Sequence, residues 1–296
     1  TGTLGSASSH AEGDSRIING AVAITQAQYV VSLQKLSELH LYTRGHRCGG
    51  VLVTLQHAVT AASCNFDEAN GAFTAINPAE YRVFSGAATL TADSTHYTNR
   101  LITQITVHPQ YFTSTPYVND IAVIFLVQEF SSLFNTPVSL PIRDAAVGEL
   151  PPCNVAGWGA QNGTAEATAS VQLMQFNKLV TSQSNCQINY VGQVNIAATM
   201  VCASGVQQTE SAGCTGDLGN PLVCSGFLNG ILIRSKNCIV SAIPEVYTRI
   251  SSYNPWIRSL TGIPDPSAPG GASTFQPGMA VLAVFAIAQI LINNVY

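Results

Sequence analysis

The sequence predicts an all-β fold. Its apolar runs are short, rich in Val, Ile and Thr, and interrupted by Gly, Pro and Asn, which is typical of strands. Three such runs are residues 100–107, 121–127 and 228–234. Helical periodicity persists only over residues 252–260, where Asn254-Pro255 predicts a helix cap followed by a first-turn proline. With 296 residues, the chain can bury a full core and form a two-part domain.

The most informative stretch is residues 214–224, which read Cys-Thr-Gly-Asp-Leu-Gly-Asn-Pro-Leu-Val-Cys. It resembles the nucleophile loop of trypsin-like serine proteases, whose pattern is Gly-Asp-Ser-Gly-Gly-Pro-Leu. Leu218 stands at the serine position and Asn220 at the second glycine. A leucine side chain has no oxygen to attack a carbonyl and no proton for a base to remove. The loop therefore predicts a protease homologue without its nucleophile.

Further motifs extend the resemblance in the expected order, from Ile17 to about Leu260. They are Arg16-Ile17-Ile18-Asn19-Gly20, Cys48-Gly49-Gly50-Val51-Leu52, Val59-Thr60-Ala61-Ala62-Ser63-Cys64, Asn119-Asp120-Ile121-Ala122-Val123, Val155-Ala156-Gly157-Trp158-Gly159 and Glu245-Val246-Tyr247-Thr248-Arg249. The family reads Thr-Ala-Ala-His-Cys around its catalytic histidine, so Ser63 stands at the base position, whereas Asp120 keeps the third triad position. The resemblance implies two packed antiparallel six-stranded β-barrels, a site in the cleft between them and a C-terminal helix.

The domain organisation follows from the same motifs and from changes in composition. The expected segments are a propeptide-like stretch at 1–16, a trypsin-like domain at 17–262 with barrels at about 17–130 and 131–250 and a helix at 252–260, a Pro/Gly/Ser linker at 263–278, and a hydrophobic tail at 279–296.

The tail has an apolar run at residues 279–292, which is shorter than the roughly 20 residues that a membrane-spanning helix needs. Small residues at 270–273, a brief polar spacer and this run predict a GPI-attachment signal. A tilted membrane helix and a buried amphipathic cap are the alternatives.

The cysteines indicate an oxidised, extracellular protein. They number eight, charged residues are few, and Asn162-Gly163-Thr164 forms a glycosylation sequon. A zinc site is disfavoured because no Cys-x-x-Cys pair exists. The bridges that the resemblance implies are Cys48–Cys64, Cys153–Cys224, Cys186–Cys202 and Cys214–Cys238.

No other residue is an evident substitute for the missing base. Ser63 cannot act as a base near neutral pH, and loss of the base alone costs such a triad roughly a million-fold in turnover. His57 lies in the strand before Ser63, where we expect a partly buried structural histidine, and His46 matches a structural histidine of the family. The histidines without a motif are His10, His40, His96 and His108. No His, Cys or carboxylate cluster has metal-ligand spacing, so neither a metal nor a cofactor is expected.

The positions that would form the substrate groove also differ from the family. Ala212 takes the base of the specificity pocket, so no carboxylate selects Arg or Lys there. Arg234 and Ser235 replace a tryptophan and a glycine, and Glu245 replaces a second glycine. These changes predict a narrowed pocket, which an Arg234–Glu245 pair would fill.

One regulatory device of the family is retained in the sequence. Asp217 matches the carboxylate that pairs with a new amino terminus, here Ile17, after cleavage at Arg16. A buried ion pair of this kind can order the surrounding loops. We expect either a cleavage-driven ordering step without catalysis or a relic of one. The resemblance also assigns the oxyanion-hole positions to Gly216 and Leu218.

The functional expectation is a catalytically inactive homologue that binds an extracellular protein: a protease, an inhibitor or a substrate. A residual or atypical peptidase and a structural or adhesive surface scaffold are the alternatives. Nucleic acid and heparin are disfavoured as partners, because the net charge is −4 and only 12 residues are Lys or Arg.

Overall fold

The fold was analysed in a computed structural model, which describes residues 21–22, 27–90, 98–111, 117–143, 147, 151–160, 169–206, 213–214, 216–235 and 243–267. Side chains at 21–22, 40–42 and 44 are not described. The propeptide-like stretch, the sequon and the hydrophobic tail lie outside these residues.

The first barrel is a closed antiparallel ring of six strands in the order β2-β3-β4-β9-β8-β7. Its strands are β2 Val30–Lys35, β3 His46–Leu52, β4 His57–Thr60, β7 Tyr81–Phe84, β8 Asn99–Val107 and β9 Ala122–Leu126. A separate hairpin is formed by β5 Phe66–Ala69 and β6 Ala72–Ala75. Its two-residue turn, Asn70-Gly71, has positive φ at both residues (53° and 77°), as the tight turns of hairpins require.

The second barrel closes through six strands in the order β11-β10-β13-β14-β15-β12, with β12 paired back to β11. Its strands are β10 Cys153–Gly157, β11 Met174–Thr181, β12 Met200–Gly205, β13 Pro221–Cys224, β14 Phe227–Arg234 and β15 Glu245–Arg249. The short strand β1, Ala21–Val22, pairs with β11 and so joins this barrel from the amino-terminal side. The predicted two-barrel fold is confirmed, and residues 127–152 connect the barrels.

The C-terminal helix α3 spans Asn254–Thr261, close to the prediction, and follows a 3-10 turn at Ile250–Tyr253. The predicted cap was wrong by one residue: Tyr253 is the N-cap and Asn254 is already helical. The Asn254 amide instead donates to the Pro141 carbonyl at 2.6 Å, tying the helix to the segment between the barrels.

The sequence did not predict helix α2, Gln183–Asn189, or the short helix α1, Tyr42–Gly45. Ser182 is the N-cap of α2, since its side chain accepts from the Asn185 backbone N–H, and serine is one of the residues that favour this position in a sequence. At seven residues, α2 is too short to show a clear helical period. Among the described residues, no helix has the length and apolar character that crossing a membrane requires.

The core is built from alternate inward-facing residues of both barrels, and the barrels are also joined by polar contacts. Thr248 of β15 donates to the backbone carbonyl of Asp120 at 2.7 Å, and Tyr253 donates to the Asn119 side chain at 2.9 Å. These contacts fix the segment that precedes β9 against the second barrel. The residues that the sequence assigns to the triad lie at this junction.

Candidate active-site cleft

Asp120 and Ser63 meet at the junction of the barrels. Asp120 precedes β9 and is buried, and its Oδ1 accepts from the backbone N–H of Ser63 at 2.8 Å. Ser63 lies in the 3-10 turn Ala62–Asn65 that follows β4. Its hydroxyl is buried and forms no well-aligned hydrogen bond, although it lies near enough to lower the pKa of Asp120. The structure therefore brings these two predicted triad positions together.

Burial dominates the electrostatics of Asp120. Desolvation raises its pKa to about 6, against the lowering effect of the hydrogen bonds from Ser63 and Ala62. In the triad template the aspartate orients an imidazole, which carries the proton. Here the aspartate receives a backbone N–H, which cannot accept a proton from a nucleophile.

Leu218 lies beside this pair. Its carbonyl oxygen accepts from the Gly49 backbone N–H at 2.8 Å and lies 3.7 Å from the sulfur of Cys64, the residue after Ser63. The Leu218 side chain is half-buried and packs against the core. The position that the resemblance assigns to a nucleophile therefore carries a hydrocarbon side chain in apolar contact.

The oxyanion-hole position Gly216 has a φ of +88° and is contacted by His46. His46 Nε2 donates to the Gly216 carbonyl at 2.9 Å, and its Nδ1 accepts from Ser32 at 2.6 Å. Desolvation lowers the pKa of His46 to about 4, so the ring is neutral near pH 7. The prediction that His46 is structural is confirmed.

His57 also has the structural environment that its sequence position predicts. It begins β4, its Nδ1 pairs with the Thr54 hydroxyl at 2.8 Å, and its ring packs edge-on against Phe125 at 5.0 Å. Burial lowers its pKa. The charge of Glu129 opposes part of this lowering, but the hydrogen-bond partner of Nδ1 is a threonine hydroxyl, whereas a catalytic base needs a group positioned to orient it.

Asp217 is buried and has three internal donors. Its Oδ1 accepts from the backbone N–H of Gly159 at 3.0 Å and from Asn220 Nδ2 at 2.6 Å, and its Oδ2 accepts from the Cys214 N–H at 2.8 Å. Desolvation and the nearby Glu245 raise its pKa to about 7, although the hydrogen bonds lower it. The other two members of the predicted switch, Arg16 and Ile17, lie outside the described residues.

The pocket position Glu245 is fully enclosed at the start of β15. Its Oε2 lies 3.0 Å from Lys178 Nζ and accepts from the Tyr247 hydroxyl at 2.6 Å, and its Oε1 accepts from the Gly213 N–H. Lys178 and Glu245 both have side chains that are 3% exposed. The expected Arg234–Glu245 pair was wrong, because Lys178 of β11 reaches Glu245 from inside the barrel.

Arg234, at the end of β14, is instead held by two tyrosines. Its guanidinium lies 5.0 Å from the ring centre of Tyr117 and 5.5 Å from that of Tyr190, and its Nη1 donates to the Tyr117 hydroxyl. Such cation–π contacts stabilise arginine on an aromatic face. Tyr117 has a φ of +71°, which is unusual for a bulky residue. Ser235 is half-buried beside Gly213, and Ala212 lies outside the described residues.

Sequence reasoning missed Lys178, although a pattern could have found it. In β11 the residues Met174, Phe176, Lys178 and Val180 share one face, since side chains alternate along a strand. The neighbouring Leu179 is exposed. One lysine on an otherwise apolar face is a sign of a buried charge that needs a partner.

Three of the four predicted disulfides are present: Cys48–Cys64, Cys153–Cys224 and Cys186–Cys202. Cys214 is also disulfide-bonded, and its predicted partner Cys238 lies outside the described residues. In the part of the chain that the structure describes, no three His, Cys, Asp or Glu side chains are grouped to hold a metal ion.

Comparison with known proteins agrees with this geometry. The family model described as Trypsin matches residues 17–257. Granzyme M of Rattus norvegicus is 30% identical over 254 residues, covering 84% of this chain and 90% of that protein. Trypsin of Xenopus laevis is 31% identical over 250 residues, covering 83% and 91%. The solved structure of neuropsin, a serine protease of mouse brain, superposes with a TM-score of 0.66 at 26% identity, covering 82% of this chain and 99% of neuropsin.

Proposed function

The chain belongs to the trypsin family, and on that premise we propose that it is a member without peptidase activity that acts by binding an extracellular protein. The observation that carries this proposal is Leu218 at the nucleophile position, beside an Asp120 that receives a backbone N–H from Ser63. The Leu218 side chain has no atom that can attack a carbonyl, and the Ser63 hydroxyl cannot act as the base near neutral pH. What remains is the modest help of substrate binding and the oxyanion hole.

The filled specificity pocket supports the same proposal. Glu245 and Lys178 form a buried pair where the resemblance expects an open pocket. A side chain entering there would have to displace two paired charges, which costs several kcal/mol. A substrate residue is therefore excluded from the pocket in two ways, by volume and by charge.

A partner would contact the rim of the cleft. The half-buried Arg234 and Tyr117 would form part of that rim, with the buried Tyr190 supporting the guanidinium from within, and arginine and tyrosine are enriched among residues that dominate binding energy. We propose a protease, an inhibitor or a substrate protein as the partner class. The three disulfides fit an oxidising compartment such as the cell exterior.

Loss of activity is tested with a fluorophosphonate that labels activated serines and with a peptide library, using trypsin as the positive control. The chain should neither be labelled nor hydrolyse any peptide. The double variant Ser63→His/Leu218→Ser should react with the small probe yet remain poor on peptides, because the Lys178–Glu245 pair still fills the pocket. Hydrolysis by the natural chain would reject the proposal and favour an atypical peptidase.

Partner binding is tested by capture from native extracellular fluid with the wild type, Arg234→Ala and a matched Lys35→Ala control. Lys35 pairs with Glu38 on the exposed surface, so its loss should leave capture unchanged. A partner lost only with Arg234→Ala would place the contact at the cleft. Capture that tolerates both changes would favour the scaffold function instead.

Attachment to the membrane by a GPI anchor remains a proposal from the sequence of the tail. Treatment of cells that display the chain with phosphatidylinositol-specific phospholipase should release it. Retention on the cells would favour a membrane helix.

A further inference from the structure

The side chain of Asn220 lies between one strand of each barrel. A Cβ added to Gly49 would lie 1.6 Å from Asn220 Oδ1, and a Cβ added to Gly157 would lie 1.8 Å from its Nδ2. Gly49 belongs to β3 of the first barrel and Gly157 to β10 of the second. The carboxamide therefore occupies a space that exists only because both neighbours are glycines.

The carboxamide is oriented by Asp217. The Asp217 carboxyl accepts from two backbone N–H groups, and the amide nitrogen of Asn220 faces it as a further donor. Nδ2 donates to Asp217 Oδ1 at 2.6 Å, whereas Oδ1 of Asn220 is buried and has no hydrogen-bond partner among the described residues. The bond to Asp217 is thus the hydrogen bond by which this side chain is held.

The backbone of the loop at residues 216–220 is fixed on both sides. Gly49 of the first barrel donates to the Leu218 carbonyl at 2.8 Å. On the second barrel, Gly219 donates to the Leu232 carbonyl at 2.8 Å and Leu232 donates to the Asn220 carbonyl at 2.9 Å. A Cβ on Gly219 would lie 2.2 Å from the Gly49 carbonyl oxygen, so the loop lies in direct backbone contact with β3.

We propose that the Asn220 carboxamide gives Asp217 the donor that the sequence assigns to the freed amino group of Ile17, so that the loop at 216–220 is ordered without cleavage at Arg16. The inference goes beyond the proposed function, because it concerns the ordering of the loop whether or not the chain binds a partner. Of the two expectations for the activation site, it favours a relic over a cleavage-driven ordering step.

The charge balance supports this assignment. In the part of the chain that the structure describes, Asp217 has three donors and all are neutral, namely two backbone N–H groups and one amide. Among the described residues no cation contacts Asp217, and desolvation and the nearby Glu245 raise its pKa to about 7. An arrangement completed by neutral donors needs no ammonium group to form.

The test is hydrogen exchange by mass spectrometry on the full chain in two forms, cut after Arg16 or kept intact by Arg16→Ala. In both forms the amides of residues 216–220 and of Gly159 should be equally protected. Asn220→Ala in the intact form should exchange about tenfold to a hundredfold faster there, as expected for loss of a hydrogen bond to a charged group. The matched control is Asn229→Ala, because among the described residues the Asn229 amide donates to the backbone carbonyls of Cys224 and Phe227, at the ends of β13 and β14.

Two results would overturn the proposal. One is slower exchange of the loop in the cut wild type than in the intact form, since cleavage would then supply the missing order. The other is Asn220→Ala exchanging like the wild type. The first comparison needs no substitution at Asn220, so it decides the question even if that variant does not fold. Because the readout is exchange, a failure here is distinct from a failure to find a partner.

Discussion

Replacing Lys178 by methionine tests whether the pair inside the second barrel is an energetic necessity. The Lys178 and Glu245 charges lie 3.0 Å apart. At an effective dielectric constant of about 20, Coulomb's law gives them about 5.5 kcal/mol of attraction. Removing one partner of a buried pair leaves an uncompensated charge and costs about 3–5 kcal/mol. We therefore expect Lys178→Met to lower the free energy of unfolding by about 3–5 kcal/mol.

The assay is urea unfolding followed by the fluorescence of the buried Trp158. The matched control is Lys35→Met, because the Lys35–Glu38 pair spans 3.9 Å with side chains 39% and 44% exposed. That change should cost less than about 1 kcal/mol. A double-mutant cycle with Glu245→Gln should give a coupling of at least about 2 kcal/mol. A coupling near zero, or equal costs for both lysines, would refute the reasoning.

Three further predictions concern packing, pH and the rim of the cleft. Gly49→Ala should lower the free energy of unfolding by at least about 3 kcal/mol, because the added methyl group crowds Asn220. In urea unfolding, the double variant Gly49→Ala/Asn220→Gly should recover part of this loss. A double variant as unstable as Gly49→Ala alone would contradict the explanation. Between about pH 4 and 6.5, Asp217 (native pKa about 7) is protonated in the native state and ionised in the unfolded chain, so its contribution to stability falls as pH rises. His46 (native pKa about 4) is neutral in the native state and protonated in the unfolded chain, so its contribution to stability rises with pH. Asp217→Asn removes the Asp217 contribution, so the free energy of unfolding of this variant, measured by urea unfolding, should rise with pH relative to the wild type by up to about 1.4 kcal/mol per pH unit across that window. A difference between variant and wild type that does not change with pH would disprove this. Arg234→Lys should lose about 1 kcal/mol of unfolding free energy, because an ammonium cannot keep the guanidinium's contacts with both tyrosine rings together with its hydrogen bond to the Tyr117 hydroxyl. An unchanged urea midpoint would show that these contacts contribute nothing.

The sequence was a good guide where motifs fix both position and environment. The two barrels, the three disulfides and the Ser63–Asp120 neighbourhood are what the resemblance to trypsin-like proteases implied, and the motifs that carry the resemblance are short runs of residues. The same holds for His46, whose structural role is visible from its place before Cys48. The motifs themselves are local, and the family resemblance supplies the long-range contacts between them.

Partners across the barrel could not be read in the same way. Glu245 was expected to meet Arg234, the nearer residue along the chain, but Lys178 reaches it from β11, two strands away in the sheet. Which long side chain pairs with Glu245 depends on how the barrel closes and on which face of each strand points inward. Asn220 likewise looked like a lost glycine, and its contacts with Gly49 and Gly157 depend on the packing of one barrel against the other.

Three carboxylates are buried at the cleft, and hydrogen-bond donors from within the chain explain how the fold accommodates them. Asp120, Asp217 and Glu245 are all nearly inaccessible to solvent, and a buried carboxylate without donors would cost several kcal/mol. Each has donors from within the chain: a backbone N–H for Asp120, backbone and Asn220 donors for Asp217, and Lys178 with further donors for Glu245. None of these donors is an imidazole, the group that carries the proton in the triad template. Substitutions of the donors should therefore appear as losses of stability and loop order.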